Sequence, residues 1–397
     1  LIRRQRFANE KGVISKRWHG KIPVCLVFPN TYYIGMSNLA LHILYTTLNS
    51  HSDIVCERCF FDEKEQLRSF ESGKPLTSFD LVFITLSFEF DFVNIPKILN
   101  CGRLAVLASE RKEGDPIVVA GGICVMANPE PVSKFIDLFI LGDIEATVPL
   151  FMKKYLDTTG KNRHDVMQAL SGFKWVYNPV ALDVTYASDG TIGDFKPHHH
   201  FITIENYRGK NLGSSAIITR ETEFANMFLV EGTRGCPSQC PFCLLGNMYP
   251  FNYDRVERFH PDIEDIGIIG GGVSYHPRLV DIIKAMKKEG KHIHLPSLRV
   301  DETTTQLVEL IQDEIKTLTF GIEAGSERLR KFIGKPLTDD EIYEKLETIL
   351  VIKPFNLKLY FMIGLYGEDK KDLEDIISMV KHIHHIMVKT GAPKGIM

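Results

Sequence analysis

Cys236, Cys240 and Cys243 stand as C-x₃-C-x₂-C within Val230-Glu231-Gly232-Thr233-Arg234-Gly235-Cys236-Pro237-Ser238-Gln239-Cys240-Pro241-Phe242-Cys243. Three thiolates on one short loop can hold three irons of a [4Fe–4S] cluster and leave the fourth iron open, because thiolate is the usual protein ligand of such clusters. An iron with a free site can bind a small molecule and pass it an electron. A structural zinc site would need a fourth ligand, commonly in a second pair roughly 12 to 20 residues away. No cysteine follows Cys243, and the next histidine is His260. Disulfides fit so short a loop poorly, and the expected compartment is reducing.

The elements that must position this loop follow a βα rhythm. Over 226–397 the pattern predicts strands at Met227–Gly232, Asp265–Ile269, His292–Leu298, Thr317–Ile322 and Lys358–Ile363. Helical spacing falls between them, at about Arg278–Lys288, Glu302–Asp313, Leu329–Leu350 and Asp372–Val388. Five such units form a partial (β/α)₆ TIM-type barrel whose last strand is expected to be missing, and barrel sites lie at the carboxyl ends of the strands. Those ends carry the cysteine loop, Gly270-Gly271-Gly272, Arg299, Glu323 and Gly364.

Residues 22–155 read as a second α/β region. Short apolar runs at Ile22–Phe28, Asp53–Phe60, Leu81–Ser87, Ile117–Ala120 and Leu138–Leu141 alternate with helical patterns, the first of them capped by Ser37. The expectation is a doubly wound, Rossmann-like parallel sheet. Ligands of such sheets sit beyond the carboxyl ends of the strands, here Asn30, Ser87, Gly121-Gly122 and Gly142-Asp143. Residues 156–225 connect the two, with a hairpin expected across Ser188-Asp189-Gly190. The three adjacent histidines His198-His199-His200 alternate faces in a strand, which argues against one shared ion.

Composition bounds the rest. With 397 residues, 44% hydrophobic and 24% charged, the chain suits two or three globular domains. The net charge of −3 gives no general pull toward nucleic acid. Residues 1–21 are locally basic, with Arg3, Arg4, Arg6, Lys11, Lys16, Arg17 and Lys21 against Glu10. That predicts a solvated arm, with an RNA-contacting arm as the alternative. No apolar run reaches the roughly 18 residues of a membrane span. Reduced cysteines and an oxygen-sensitive cluster point to the cytoplasm. The chain begins at Leu1 and stops where a sixth barrel strand is expected to begin, so it is read as a possible fragment.

The cysteine loop, with Arg234-Gly235 before it and Phe242 before the last Cys, resembles the radical S-adenosylmethionine (SAM) superfamily. The resemblance implies that the open iron chelates SAM, and that reduction cleaves SAM to a 5′-deoxyadenosyl radical. It further implies that Gly270, Gly271 and Gly272 accept the SAM amino group through backbone carbonyls, that Arg299 holds its carboxylate, and that Glu323 meets its ribose. Phe361-Met362-Ile363-Gly364-Leu365-Tyr366-Gly367-Glu368 resembles the F-x-I-G-L-P-G-E segment of the superfamily, with Tyr366 in place of Pro. Phe242 is expected against the cluster or the adenine. A flavodoxin or ferredoxin would supply the electron.

The first half resembles the cobalamin-binding domain that precedes many radical SAM cores, through Gly121-Gly122, Ala127-Asn128-Pro129-Glu130 and the turn Leu141–Glu145. Its D-x-H-x-x-G loop is absent, since the chain reads Phe28-Pro29-Asn30-Thr31-Tyr32-Tyr33-Ile34-Gly35. Any corrin is therefore expected without a histidine on cobalt, over Asn30, Ser87, Gly121 and Gly122. Asn30 to Leu39, Cys56-Glu57-Arg58 and Glu223-Phe224 carry a similarity to radical SAM proteins of this two-domain kind. The implied activity is reductive SAM cleavage, with methyl or group transfer where cobalamin is present. The substrate, whether small molecule, peptide or RNA, is not encoded in transferable motifs. The alternatives are a tRNA or protein methylthiotransferase, which needs three more cysteines in the first domain, and a non-catalytic iron–sulfur sensor or scaffold.

Overall fold

The computed structural model describes residues 6–197, 202–256 and 260–391, so the His198-His199-His200 run lies outside the described residues. Chain contacts divide it into two units, 1–208 with 213–226 and 209–212 with 227–397.

The first unit is built on a six-stranded sheet: β1 (Ile22–Phe28), β2 (Ile54–Phe60), β3 (Leu81–Thr85), β4 (Ile117–Gly121), β5 (Leu138–Ile140) and β6 (Val176–Tyr177), in the order β2-β1-β3-β4-β5-β6. The first five strands are parallel, and β6 pairs antiparallel to β5. Both faces are covered by helices, which is why β1 and β3 read as continuous buried apolar runs rather than alternating ones. Strand order reverses between β1 and β3, the switch point where ligands of open α/β sheets bind. After β1 a short helix, Tyr32–Met36, precedes the long one, Leu39–Ser50, whose cap is Asn38 with its side chain accepting from Leu41 N. Ser37 does not cap it; its hydroxyl donates to Tyr33 O at 2.7 Å. The connecting region contains the hairpin of β7 (Leu182–Tyr186) and β8 (Ile192–Pro197).

The described part of the N-terminal segment is not a solvated arm. Glu10 makes a two-pronged ion pair with Arg58 at 2.8 and 2.7 Å, and Glu71 takes the Arg58 Nε at 2.7 Å. Arg58 is 1% exposed, with Tyr45 and Phe70 against its guanidinium faces. Lys16 caps helix 39–50, donating to His51 O at 2.8 Å and Ile54 O at 3.0 Å. A cation completing the carbonyls at a helix end explains why this basic residue faces inward.

The second unit has the alternation of a partial (β/α) barrel. Its parallel strands are β9 (Phe228–Arg234), β11 (Asp265–Gly270), β12 (His292–His294), β13 (Thr317–Glu323) and β14 (Asn356–Phe361), with β10 (Asn252–Tyr253) antiparallel on β9. β12 is shorter than its sequence pattern implies, and Leu298 alone bridges to Phe320 of β13. The stretch 329–350 is two helices, Glu327–Phe332 and Asp339–Ile352. Gly334 at φ +74° and Pro336 break it, and a Thr338–Glu341 capping box restarts it.

Candidate active site

In β13 the sequence Thr-Leu-Thr-Phe-Gly-Ile-Glu alternates half-buried and buried residues, so Leu318, Phe320 and Ile322 fill the core while Gly321 and Glu323 share the other face. At its end the β13–β14 register shifts between Gly321 and Glu323, and Glu323 sits at φ +75°. A non-glycine residue held there costs on the order of 1–3 kcal/mol, so the bulge aims the carboxylate at an energetic cost. Gly321 leaves room beneath it, because a Cβ there would stand 2.3 Å from Glu323 Oε1 and push the carboxylate aside. A second register shift, between Ile269 and Gly270, ends β11.

These strand ends enclose a cavity of about 460 Å³ whose wall includes Gly271, Gly272, Arg299, Gly321, Glu323 and Lys335. That volume is within the range of small-molecule and cofactor sites. Four expected residues thus meet: Gly271, Gly272, Arg299 and Glu323. Gly270 is not on the wall; its missing Cβ lets β11 approach Thr233 of β9, whose carbonyl oxygen would lie 2.3 Å away. Gly364 is also off the wall, in a turn where its N–H donates to Glu368 Oε2 at 2.6 Å. Phe242 is 44% exposed and absent from the wall.

The cysteine loop lies against the glycine turn, with a Cβ on Gly272 falling 3.6 Å from Cys236 Cα. Asn247 holds the loop by donating to Cys240 O at 2.9 Å and Cys243 O at 2.8 Å. Burial pushes the Cys240 thiol up from its ordinary range, while Lys335 and Arg299 pull it back and Cys236 and Cys243 add to the rise. The three sulfurs and two cations are therefore electrostatic neighbours. Among the described residues no three His, Cys, Asp or Glu groups close around a single ion. A cluster asks for less convergence, since each thiolate meets a different iron. The donor set therefore fits a three-cysteine cluster.

Arg299 is committed in part to its own neighbourhood. It pairs with Asp301 through Nη2 at 2.6 Å and Nε at 3.0 Å, and Nη1 donates to Ser238 Oγ at 3.1 Å. Ser238 in turn shares a 2.6 Å bond with Tyr275, whose ring lies 5.4 Å from the guanidinium. Lys335, Ser238, Tyr275 and Asn247 are the contributors that sequence reasoning missed. Only Lys335 carried a readable signal, as a lysine between Gly334 and Pro336 in a helix-breaking turn.

In the first unit the expected residues fall at the strand ends but face their own chain. Asn30 donates to Asp91 at 3.0 Å, and Asn38 donates to Ser87 at 3.1 Å. Gly122, at φ +117°, allows the chain to pass Leu86, whose oxygen would stand 2.4 Å from a Cβ. Gly121 is half-buried, ending β4. The end of β5 is covered by residues 205–207, with Asp143 accepting from Tyr207 N at 2.7 Å. Two features remain available at the switch point. The Thr85 hydroxyl is buried without a hydrogen-bond partner among the described residues, and Tyr33, Ile34, Phe88, Phe90 and Val93 are exposed apolar groups. His42 is not available: burial holds it down at about 4, its Nε2 meets Met36 O at 3.0 Å, and its Nδ1 accepts from Ala216 N at 3.2 Å. Cys25, Cys56, Cys59 and Cys124 are buried and unpaired, and no three of them gather into a ligand set among the described residues.

The stretches that carry the two-domain similarity meet within the first unit. Arg58 reaches Met36 Sδ at 3.3 Å, Ser37 Oγ accepts from Glu223 N at 2.9 Å, and Tyr33 donates to Glu223 at 3.0 Å.

Comparison with known proteins gives the family and the fold. The family described as radical SAM proteins, N-terminal, matches residues 40–179, and the radical SAM superfamily matches residues 230–380. An uncharacterised protein of Methanocaldococcus jannaschii is 28% identical over 91% of this chain and 73% of its own length. An uncharacterised methyltransferase of Pyrococcus horikoshii is 24% identical over 78% of this chain and 68% of its own. A solved structure of the cobalamin-dependent SAM radical enzyme OxsB, with aqua-cobalamin and SAM bound, superposes with a TM-score of 0.58 at 14% identity. It covers 94% of this chain, which spans 57% of that structure's length, and the likeness is one of fold.

Proposed function

Because this chain belongs to the radical SAM superfamily, whose enzymes use a [4Fe–4S] cluster and SAM, we propose that it cleaves SAM reductively in the cavity of the second unit and transfers a methyl or related group to an unactivated carbon. The observation that carries this reading is the meeting of Gly271, Gly272, Arg299 and Glu323 on one cavity wall beside the three-cysteine loop. Cys236, Cys240 and Cys243 would hold the cluster, which would supply the electron for SAM cleavage. The chain's own part is to bind and orient SAM. Gly271 and Gly272 let the amino acid end of SAM approach the backbone without a Cβ in the way. The side of the Arg299 fork that faces Ser238 is directed at its carboxylate. Glu323 is aimed at the ribose hydroxyls by the bulge that ends β13.

In the same proposal the switch point of the first unit would hold a corrinoid, which would supply a carrier for the transferred group. Support comes from the strand order β2-β1-β3, the exposed Tyr33, Phe88 and Phe90, and the unpartnered Thr85 hydroxyl. With His42 engaged, no imidazole of the β1 end is free for cobalt. The Pyrococcus horikoshii methyltransferase favours transfer over other radical outcomes. A small flavodoxin- or ferredoxin-type protein is the proposed reductant.

The test is anaerobic reconstitution with iron and sulfide, with and without hydroxocobalamin. About four irons per chain and release of 5′-deoxyadenosine from SAM under dithionite are the expected results. A protein that loads iron but releases no 5′-deoxyadenosine would contradict the activity. Absence of cobalamin uptake would remove the carrier and leave SAM cleavage standing. In the cobalt(II) form, paramagnetic resonance lines free of nitrogen splitting are expected.

A further inference from the structure

Lys335 is 6% exposed and lies on the cavity wall, although its segment belongs to the turn between two helices. Its Nζ donates to Glu323 Oε1 at 3.1 Å and to the Gly321 carbonyl. Its turn packs directly on the cysteine loop, since a Cβ on Gly334 would lie 3.1 Å from Pro241 and 3.6 Å from Cys240 Cα. The Cys240 thiol is 3.8 Å from Gly334 O. One short turn thus touches the cluster loop with its backbone and the end of β13 with its side chain.

A buried ammonium is costly unless it is paired and hydrogen-bonded. Lys335 meets that condition by bonding both acceptors that the β13 bulge exposes. The bulge leaves the Glu323 carboxylate folded over Gly321, within reach of the Lys335 ammonium. From this geometry we infer that Lys335 is a positioning residue: it fixes the Glu323 carboxylate for the ribose of SAM and couples that carboxylate to the cysteine loop. The inference rests on the SAM reading of the cavity and deepens it by assigning a residue through which the nucleoside end and the cluster end share one support.

The role makes a claim that simple core packing does not. Lys335 acts on SAM through Glu323, so the two residues must be energetically coupled. SAM affinity is measured by calorimetry on reconstituted protein for the parent, Lys335→Met, Glu323→Gln and the double variant, with iron content and thermal unfolding recorded for each. Lys335→Met is expected to weaken SAM binding about tenfold at unchanged iron content. In the Glu323→Gln background the same change is expected to alter affinity less than twofold. Lys335→Arg, which keeps the charge and the donors, is expected to recover most of the loss. S-adenosylhomocysteine, which keeps the ribose, should show the same ranking, and free methionine should show none.

Additive losses in the double variant would overturn the inference, because Lys335 would then act without Glu323. Unchanged SAM affinity in Lys335→Met would overturn it too, while leaving the SAM site standing. A parent protein that carries its cluster and binds no SAM would overturn both the inference and the reading beneath it. Should Lys335→Met lose iron, Lys335→Arg and Lys335→Gln, closer in length and polarity, carry the same comparison.

Discussion

At the strand ends of the first unit, Asn30 is held by Asp91, Ser87 by Asn38 and Asp143 by Tyr207. At the strand ends of the second, Gly271, Gly272, Arg299 and Glu323 face an open cavity of about 460 Å³. The two units share an architecture in which parallel strands deliver polar residues to one edge, yet they use that edge differently. In the first, polar groups tie loops together, and the exposed groups include the large apolar rings and side chains of Tyr33, Phe88, Phe90 and Val93. In the second, the bulge at Glu323 holds its carboxylate on the cavity wall, and Gly271 and Gly272, just after the β11 register shift, line the same wall. Position at a strand end therefore nominates a residue, and the local hydrogen bonds decide whether it is left for a ligand.

The comparison can be broken most sharply at the cysteines. Cys236→Ala, Cys240→Ala or Cys243→Ala is each expected to abolish cluster assembly and SAM cleavage, read by iron and sulfide analysis. Any of the three variants that retained full iron and activity would remove the cluster assignment. The first unit should fail instead by unfolding. Glu10→Ala leaves Arg58 buried with half its ion pairing, and breaking such a pair costs about 3–5 kcal/mol. Hydrogen exchange resolved by segment should show the loss in residues 22–60 and spare β13 and β14.

A pH effect should likewise belong to the first unit. Burial lowers His42 to about 4 from its ordinary 6.5. A folded state that binds the proton less readily than the unfolded one is fully stable above pH 6.5 and loses stability as pH falls toward 4. The difference amounts to on the order of 3 kcal/mol. Denaturant titrations of the parent and His42→Gln between pH 7 and 4 check this: the parent slope should flatten in the variant. The smallest expected effect is in the cavity. Gly321→Ala pushes a methyl into the Glu323 carboxylate, and SAM affinity should fall roughly tenfold, about 1.4 kcal/mol, with cluster content retained. An unchanged affinity would mean that the carboxylate has no fixed role.

Much of this was legible before any coordinates. Buried parallel strands announce themselves as short apolar runs, so β1, β3, β4 and β13 fall close to where hydrophobic patterning puts them. The strand-end rule reached Gly271, Gly272, Arg299 and Glu323 on the cavity wall, and it also picked Gly270 and Gly364, which lie off it. The helix break at Gly334 was masked because periodic apolar residues continue across it, although Pro336 and the Thr338–Glu341 pair marked a restart. Lys335 went unseen for the same reason. The inward turn of Lys16 and Glu10 could not be read, because a basic segment looks identical whether its charges meet water or buried carbonyls and carboxylates. The roles of Gly270 and Gly122 were also hidden, since a glycine admits either a ligand or a neighbouring strand, and here the neighbour is Thr233 or Leu86.

The pairing of Glu10 with Arg58 has a companion further along the chain. Lys11 bridges Ile218, Tyr32 bonds Thr219 at 3.2 Å, Arg6 pairs with Glu221 at 2.7 Å, and Ser37 meets Thr222 at 2.8 Å. Residues 6–37 are thus locked by residues made some two hundred positions later. A domain usually completes its fold as it emerges, but this one can assemble its central strands early and must leave residues 6–11 unfastened until residues 218–223 arrive. Translation stalled before that point should leave the Arg58 cage open to protease, and release past it should close the cage in a single late step.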